Sequence, residues 1–346
     1  MTSADSIDLP GEIDPDEPPR RGPGRKIALI ALLVVVAMVA AVAVIAGSYL
    51  FDIKGKYDKR NTVPTITRSA SDGEKPAETE GENFLLLGSD KRSEEEAAAS
   101  GVTGQRSDVM MLVHVPADRS GIYVMSFPRD LWIDIPGHGK GRINAALAYG
   151  GIPLAVTTVE NYAGVPIDHV ALIDFDGVEG LVDALGGVDI QVPQDFEING
   201  TQFTKGTQHV NGAEALNFVR ARKNFADGDF QRNRNQQALL KAIAEKLISR
   251  DTFSSPGKIS DAVGAISPFL TTDEGLTLET LIDLGLSMRD LRASDMHFLA
   301  VPHGEPFMTS GGASVVATDE EGMDVLREAL KTDSMGAYFA EHAGKY

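Results

Sequence analysis

The chain is predicted to fold as an α/β protein in which helices and a sheet pack in layers. From residue 83 onward, short apolar runs of strand length alternate with longer segments of helical period, and this order is typical of layered α/β domains. Of the 346 residues, 42% are hydrophobic, which is enough to fill a core. No internal repeat divides this region, so we expect one continuous domain.

The predicted elements follow from these runs and from the turn residues that bound them. The predicted strands are Phe84–Leu87, Val109–Val113, Ile122–Met125, Val170–Phe175, Val188–Val192, Met296–Val301 and Ala313–Ala317. The predicted helices are 143–163 (one or two helices, broken near Gly150 and Gly151), 177–185, 211–219, 233–249 and 320–330, and the region 254–292 is predicted to be mainly helical.

The residues before this domain predict a membrane anchor. Residues 1–26 are polar and rich in proline and acid, as in a disordered tail, and residues 27–51 carry no charge. Twenty-five helical residues span about 37 Å and a hydrocarbon core is about 30 Å thick, whereas the apolar part of a signal peptide has only about 7 to 15 residues. We therefore interpret 27–51 as a transmembrane helix and the charged segment 52–82 as a linker.

Charge alone does not orient this span. Four basic residues precede it and four follow it closely, so the positive-inside rule gives no preference. A short tail followed by one span and a long domain is the usual layout of a signal anchor. That layout favours a single-pass protein of the cell membrane with a cytoplasmic tail and an extracytoplasmic domain.

Arginine is placed unusually for a chain with a net charge of −18. The acidic balance argues against a nucleic-acid partner, and the absence of cysteine excludes disulfides and thiolate metal sites. Most of the acids are interpreted as a solvated surface. The arginines, however, recur beside aspartates at the ends of predicted strands. The motifs are Asp90-Lys91-Arg92, Arg106-Ser107-Asp108, Pro128-Arg129-Asp130, Arg220-Ala221-Arg222 and Asp229-Phe230-Gln231-Arg232-Asn233-Arg234.

These motifs predict a site for a diphosphate group. The arginine fork fits two phosphate oxygens at a time, and neighbouring aspartates can hold a divalent cation that bridges the same phosphates. Asp90 follows one predicted strand and Asp108 begins the next, so both meet at one edge if those strands are antiparallel neighbours. Two adjacent carboxylates then favour a shared cation, whereas each alone could simply cap a turn.

The arginines themselves leave alternatives open. Arg129 reaches the same cleft or pairs with a surface acid, and an exposed pair contributes only about 0 to 1 kcal/mol. Arg220 and Arg222 share one face if the chain is extended and diverge on a helix. Arg232 and Gln236 share a helix face if the helix begins by Arg232, and its amino terminus would favour an anion. A solvated basic loop is the alternative for the whole segment.

Motifs of other catalytic classes are absent from the sequence. There is no Walker-type phosphate loop, no Gly-x-Ser-x-Gly elbow and no His-Glu-x-x-His pair. The seven histidines are dispersed and are interpreted as structural or exposed residues.

Seven short motifs in the same order resemble the LytR-CpsA-Psr (LCP) family. The resemblance covers residues 83–333, essentially the whole predicted domain, and members of this family are typically single-pass proteins with the domain outside the membrane. The motifs are Phe84-Leu85-Leu86-Leu87-Gly88-Ser89-Asp90, Arg106-Ser107-Asp108, Ser126-Phe127-Pro128-Arg129-Asp130, Arg142-Ile143-Asn144-Ala145-Ala146, Leu185-Gly186-Gly187-Val188, Val219-Arg220-Ala221-Arg222, and Asp229-Phe230 with Arg232 and Gln236-Gln237.

The resemblance implies a three-layer αβα domain with a central mixed sheet and a long apolar pocket for a polyprenyl chain. It also implies an enzyme, a phosphotransferase that moves a glycopolymer from a polyprenyl-diphosphate carrier to peptidoglycan at the membrane. The implied catalytic residues are Asp90 and Asp108 at Mg²⁺ (or Mn²⁺ in its place), Arg106, Arg129, Arg220, Arg222, Arg232 and Gln236 at the diphosphate, and Asp229, which would orient the arginines.

One position departs from the family pattern. Many members have Arg-Gln-Gln where this chain has Asn235-Gln236-Gln237, and Arg234 would lie about 100° away around a helix. Residues 334–346 are interpreted as a tail after the domain. Two other functions remain open: a pyrophosphatase of lipid-linked intermediates, and a non-catalytic, membrane-tethered regulator of envelope assembly.

Overall fold

The computed structural model describes residues 47–64, 76, 78–89, 107–225, 228–249, 252 and 255–346, without the side chains of Ser107, Asp108 and Pro256. The chain divides after Phe51, and residues 52–346 form the folded unit considered below. The predicted transmembrane helix lies largely outside the described residues. Among those that are described, no helix is long and apolar enough to cross a bilayer.

The main sheet of the described chain is mixed and has seven strands. Its central strand β2 (Glu82–Ser89) runs antiparallel to β3 (Ser107–Val115) and parallel to β7 (His169–Asp174). Beyond β3 lie β4 (Ile122–Ser126) and β13 (Met296–Ala300), and beyond β7 lie β12 (Leu270–Asp273) and β1 (Asn61–Val63). The spatial order is β1-β12-β7-β2-β3-β4-β13.

Four two-stranded ribbons accompany this sheet in the described residues. They are β5 (Trp132–Ile135) with β6 (Gly139–Arg142), β8 (Val188–Val192) with β11 (Gly206–Val210), β9 (Phe196–Ile198) with β10 (Thr201–Phe203), and β14 (His303–Met308) with β15 (Ser314–Thr318). The main helices are α1 (Ala145–Ala163), α2 (Phe175–Ala184), α3 (Gly212–Arg220), α4 (Asp229–Leu247), α5 (Pro256–Ile266), α6 (Leu278–Ser287), α7 (Glu320–Lys331) and α8 (Met335–His342).

Helices cover both faces of the sheet because strand side chains alternate between its faces. Leu85 and Leu87 of β2 pack in one cluster with α1, α7 and α8. On the other face, α2, α3 and α4 form a second cluster, and Val109 of β3 packs against it. This arrangement confirms the predicted α/β class with its central mixed sheet.

Several segments differ from the sequence interpretation, among them the short strands of the ribbons that were not predicted (β5, β6, β9, β10, β11 and β14). Residues 52–57 of the predicted linker are helical, and β1 pairs with β12. β12 itself lies within the region predicted to be mainly helical, because Leu-Thr-Thr-Asp is too short and too polar to show a strand pattern. The predicted tail forms α8, which buries Met335 and Tyr338 in the core. The predicted break of α1 is confirmed, with Gly150 and Gly151 outside helical geometry.

Candidate active site

The ends of four strands lie at one edge of the main sheet. Ser89 at the end of β2 pairs with Ser107 at the start of β3 and with Asp174 at the end of β7. β4 ends on the same side, since its last residue, Ser126, pairs with Met111 of β3. The antiparallel neighbours that the shared-cation hypothesis required are therefore present. Asp90, Arg106 and the side chain of Asp108 lie outside the described residues.

Three arginines from different segments of the chain converge on the carboxylate of Asp229. Arg222 Nη2 lies 3.0 Å from Oδ2, and Arg232 Nη2 lies 2.9 Å from Oδ1. Arg129 Nη2 approaches Oδ1 at 3.6 Å, and its Nε lies 3.5 Å from Asp130 Oδ2. The cluster formed by Asp229 with Arg129, Arg222 and Arg232 is called the Asp229 cluster below. Three guanidinium groups gathered in one place are the kind of arrangement that binds phosphate oxygens.

Local structure fixes the position of Asp229. Gly228 precedes α4 with a φ of 44°, a left-handed conformation that glycine adopts without steric cost. Asp229 is then the first residue of α4, where the helix dipole favours a negative charge. Arg232 lies three residues further on the same helix face and is only 7% exposed. Because α4 begins before Arg232, Arg232 and Gln236 lie on the same face of the helix, which was one of the alternatives left open by the sequence.

Arg220 and Gln236 take other positions. Arg220 is the last residue of α3, and its guanidinium carbon lies 4.9 Å from the ring centre of Phe175, which directly follows β7. Ala221 is extended, so the chain turns out of the helix before Arg222 reaches Asp229. Gln236 is buried and lines an apolar cavity beside α4. Both residues border the same edge of the sheet as the Asp229 cluster.

Arg142 is a neighbour of the cluster that sequence reasoning assigned no role. Its Nε lies 3.3 Å from Asp130 Oδ1, and its Nη2 donates to the Ser314 carbonyl at 2.8 Å. The backbone N–H of Asn144 donates to the carbonyl of Arg129 at 3.3 Å. These contacts hold the segment of Arg129 against β6 and β15. The motif Arg142-Ile143-Asn144 was the feature of the sequence that could have indicated this supporting role of Arg142.

The departure at Asn235 has a structural explanation. Asn235 is 1% exposed, donates to the Phe218 carbonyl at 3.1 Å and accepts from Gln231 at 2.8 Å. It therefore joins α4 to α3. Arg234 is exposed and donates from Nε and Nη2 to Gln231 Oε1, on the outer surface of α4. Gln237 Nε2 donates to Ser126 Oγ and to the Leu299 carbonyl, which fixes α4 over β4 and β13.

An apolar cavity of about 310 Å³ opens between α4 and the sheet. It begins at Gln236, one turn beyond Arg232, and continues along the apolar side of α4. Sequence reasoning did not separate its lining from ordinary core, because the same side chain types build both. The lining residues are Leu86, Leu87, Gly88, Val109, Met111, Ala171, Ile173, Phe175, Val178, Leu181, Val219, Gln236, Leu239, Leu240, Ile243, Leu247, Ile266 and Leu270.

Two histidines with shifted pKa values lie at the opposite end of β2 from Ser89. Burial lowers the pKa of His114, whose Nε2 lies 2.8 Å from Asp333. A hydrogen bond with Asp273 raises the pKa of His169. These contacts fit the structural role that the sequence predicted for histidine. Among the described side chains, no three histidine, aspartate or glutamate residues are grouped to hold a metal ion.

The mixed sheet and the arginine cluster at its edge agree with one known family of proteins. The family model described as LytR_cpsA_psr matches residues 44–332. The chain is therefore a member of the LytR-CpsA-Psr family, as the motifs indicated.

Known proteins similar to this chain include enzymes of teichoic acid transfer. The polyisoprenyl-teichoic acid–peptidoglycan teichoic acid transferase TagU of Bacillus anthracis is 35% identical over 219 residues, which cover 63% of this chain and 68% of that protein. The crystal structure of TagV from B. subtilis has a TM-score of 0.62 at 27% identity and covers 73% of this chain and 97% of that one. A structure of TagT bound to LI-WTA has a TM-score of 0.57 at 27% identity, covering 80% and 97%.

Proposed function

We propose that this protein transfers a glycopolymer from a polyprenyl-diphosphate carrier to peptidoglycan by phosphoryl transfer. Family membership supports the class of reaction, and a relative 35% identical is named as a teichoic acid–peptidoglycan transferase. The polymer carried by this chain is a separate matter, because different polymers share the same carrier headgroup.

One helix provides the observation that carries this proposal. α4 begins with Asp229 and Arg232 and continues through Gln236 to Leu239 and Ile243. Its first turn therefore belongs to a cationic cluster, and its later turns line an apolar cavity. A polyprenyl diphosphate has the same order, a charged head followed by an apolar tail. Such a molecule would lie along α4 with its head at the Asp229 cluster.

The proposed chemistry needs charge neutralisation and alignment more than covalent help. A sugar hydroxyl of peptidoglycan attacks the phosphorus that bears the glycan, the bond from that phosphorus to the bridging oxygen breaks, and polyprenyl phosphate leaves. Arg129, Arg222 and Arg232 would stabilise the charge that develops on the bridging and outer oxygens. The proton of the attacking hydroxyl passes to a carboxylate, with Asp90 or Asp229 as the available bases.

A divalent cation and a membrane anchor complete the proposal. Asp90 and Asp108 would hold Mg²⁺, or Mn²⁺ in its place, since each lies next to a residue of the Ser89–Ser107 pair at one sheet edge. When bound, the cation would neutralise phosphate charge. The apolar segment 27–51 would hold the domain at the outer face of the cell membrane, where lipid-linked donors are available.

Substitution of two clustered arginines tests the proposal. Arg129→Ala and Arg222→Ala should each lower transfer by about 10²-fold or more while the protein stays folded, by analogy with the loss of one oxyanion donor. Arg289→Ala is the matched control, because the side chain of Arg289 is 75% exposed and pairs only loosely with Asp290 at 3.7 Å. Normal transfer to peptidoglycan by both cluster variants would contradict the assignment.

The products distinguish the two other functions. A pyrophosphatase would use the same cluster with water as the nucleophile, and it would release the phosphorylated glycan at the same rate with or without peptidoglycan. A tethered regulator would bind the lipid diphosphate and release nothing. The transferase requires a covalent product whose formation depends on the acceptor.

A further inference from the structure

A second cavity, of about 240 Å³, lies outside the Asp229 cluster. It is bounded by β5, β6, the end of α1 and the start of α7 and is called the Trp132 cavity below. Its polar and aromatic lining side chains are those of Trp132, Asp134, Lys140, Asn161, Tyr162, Thr318, Glu320 and Arg327. None of these residues belongs to the motifs from which the diphosphate site was predicted.

The strand β5 turns Trp132 away from the core. Ile133 and Ile135 are 5% and 1% exposed and pack in the core cluster below the ribbon. Side chains alternate along a strand, so Trp132 and Asp134 share the opposite face. Trp132 is partly exposed and belongs to none of the apolar clusters of the described residues. Its large apolar face is therefore available to a ligand.

A buried tyrosine hydroxyl borders the same cavity. Tyr162 is 7% exposed, and its hydroxyl makes no hydrogen bond within the part of the chain that the structure describes. Such a group normally finds a partner when it is buried. Arg327 fixes the residue by donating from Nε to the Tyr162 carbonyl at 2.9 Å, with its guanidinium carbon 5.5 Å from the ring centre. Burial raises the pKa of Tyr162, so the hydroxyl keeps its proton and can donate it.

The remaining groups favour a neutral, hydroxyl-rich ligand. The charges of the lining balance, because Asp134 and Glu320 are accompanied by Lys140 and Arg327, and Arg327 Nη2 lies 3.2 Å from Glu320 Oε2. The carboxylate oxygens accept hydrogen bonds, and the amide of Asn161 is of a kind that both donates and accepts. An indole face beside such groups matches a sugar ring, which has an apolar face and a rim of hydroxyls. The two cations are matched by two carboxylates, so the lining has no excess positive charge that would favour a nucleotide or a second diphosphate.

Two strands connect this cavity to the Asp229 cluster. A smaller cavity of about 170 Å³ lies directly on the cluster, where it is lined by Arg129, Asp130 and Ser314 among others. The N–H of Val316 in β15 donates to the Asp130 carbonyl at 2.9 Å, so β15 and the chain leading into β5 run side by side. Trp132 lies two residues beyond Asp130, about 7 Å along an extended chain.

We propose that the Trp132 cavity is a saccharide subsite that binds a sugar of the acceptor glycan strand while a neighbouring hydroxyl reaches the Asp229 cluster. The role as an acceptor subsite rests on the proposed transferase function. Binding of an oligosaccharide does not depend on it and can be measured alone.

The fluorescence of the protein reports directly on this cavity, because Trp132 is the one tryptophan in the sequence. Titration of the full-length protein with chitotetraose, a tetramer of N-acetylglucosamine, should change the tryptophan emission saturably. Tyr162→Phe keeps the ring and removes the hydroxyl, and it should weaken binding by about 3- to 10-fold. Asp134→Asn removes an exposed carboxylate and should weaken binding similarly. The variant should fold normally, because β5 does not depend on that side chain for its core packing.

Tyr149→Phe is the matched control. Tyr149 also lies on α1, but it is 55% exposed and stacks on His138 instead of bordering the Trp132 cavity. This variant should bind chitotetraose as the unmodified protein does. An emission spectrum unchanged at millimolar chitotetraose, or equal affinities for all variants, would overturn the subsite.

The transfer assay separates this inference from the proposed function. Tyr162→Phe and Asp134→Asn should raise the KM for the peptidoglycan acceptor and leave the KM for the lipid-linked donor unchanged. Saturable binding of chitotetraose without any transfer would overturn the transferase and support the saccharide site. Transfer with no chitotetraose binding, or with an unchanged acceptor KM in both variants, would overturn the subsite and leave the transferase in place.

Discussion

At the scale of single residues, Asp229 determines how the candidate site is organised. Three guanidinium groups lie within 3.6 Å of its carboxylate, and without that charge they would repel one another. The same arginines remain partly available to an anion because Arg129 and Arg222 are 21% and 50% exposed at their side chains. Asp229 is therefore expected to position the arginines for the diphosphate.

Asp229→Asn is expected to lower transfer while most of the fold is kept. The amide retains the shape but loses the charge that gathers the arginines, so the rate of transfer should fall by about 10- to 100-fold, less than or similar to the loss of a direct oxyanion donor. Asp290→Asn, at a side chain that is 94% exposed, should have no effect on transfer. A full rate for Asp229→Asn, measured as acceptor-dependent product, would show that the arginines do not need this anchor.

The residues of the site were predictable to different degrees. Arg129, Arg222 and Arg232 stood out because their charge contrasts with an acidic chain, and Asp229 stood out as an acid beside such arginines. The structure brings all four together. Arg142 did not stand out, since its role depends on β6 meeting β15, a contact between segments far apart in sequence. Contacts of that kind follow from topology, which the spacing of charges does not reveal.

At the scale of elements, α4 combines the charged and apolar halves of the site. The first turn of α4 is polar and lacks an apolar period, so the sequence predicted a helix that starts only at residue 233. In the structure the helix begins at Asp229. The predicted strands β2, β3 and β4 were recognisable from dense apolar runs. β1 and β12 were not, because Asn-Thr-Val and Leu-Thr-Thr-Asp become strands only by pairing at the sheet edge.

Leu240→Trp tests whether the cavity beside α4 holds the lipid tail. Leu240 is partly exposed and lines the cavity, so the larger ring should occupy space that a long isoprenoid needs. We expect the KM for a long-chain donor to rise about tenfold or more, since each CH₂ that loses burial costs about 0.8 kcal/mol. A donor with a short, soluble chain should be transferred as before.

A second tryptophan variant controls for the effect of a large surface side chain. Val325 on α7 is 47% exposed and does not line the cavity, so Val325→Trp should leave both donors unaffected. Thermal unfolding of both variants checks for overpacking, which typically costs about 1 to 3 kcal/mol. Equal KM values for the long-chain donor in Leu240→Trp and in the unmodified protein would show that the lipid tail does not bind in this cavity.

At the scale of the whole molecule, the carboxyl-terminal helix completes the domain. Sequence reasoning ended the domain at 333, where the resemblance to the family ended. In the structure, α8 buries Met335 completely and Tyr338 to 4% exposure in the cluster shared by α1 and α7. Phe339 adds a ring contact with His297 of β13 at 4.4 Å. The helix is therefore part of the core that supports β4 and β13, at whose ends the site begins.

Met335→Ala should destabilise the whole domain, since it leaves a cavity in a fully buried position. Replacement of a buried methionine by alanine typically costs about 2 to 5 kcal/mol. The core cluster that contains Met335 packs on the main sheet, so the loss should lower the unfolding midpoint of the domain. Urea unfolding followed by circular dichroism measures it, with Met308→Ala as the matched control at a residue that is 64% exposed. If 334–346 were a tail, the two variants would have the same midpoint. A lower midpoint for Met335→Ala alone would establish α8 as a structural element of the domain and would extend the minimal active fragment to include it.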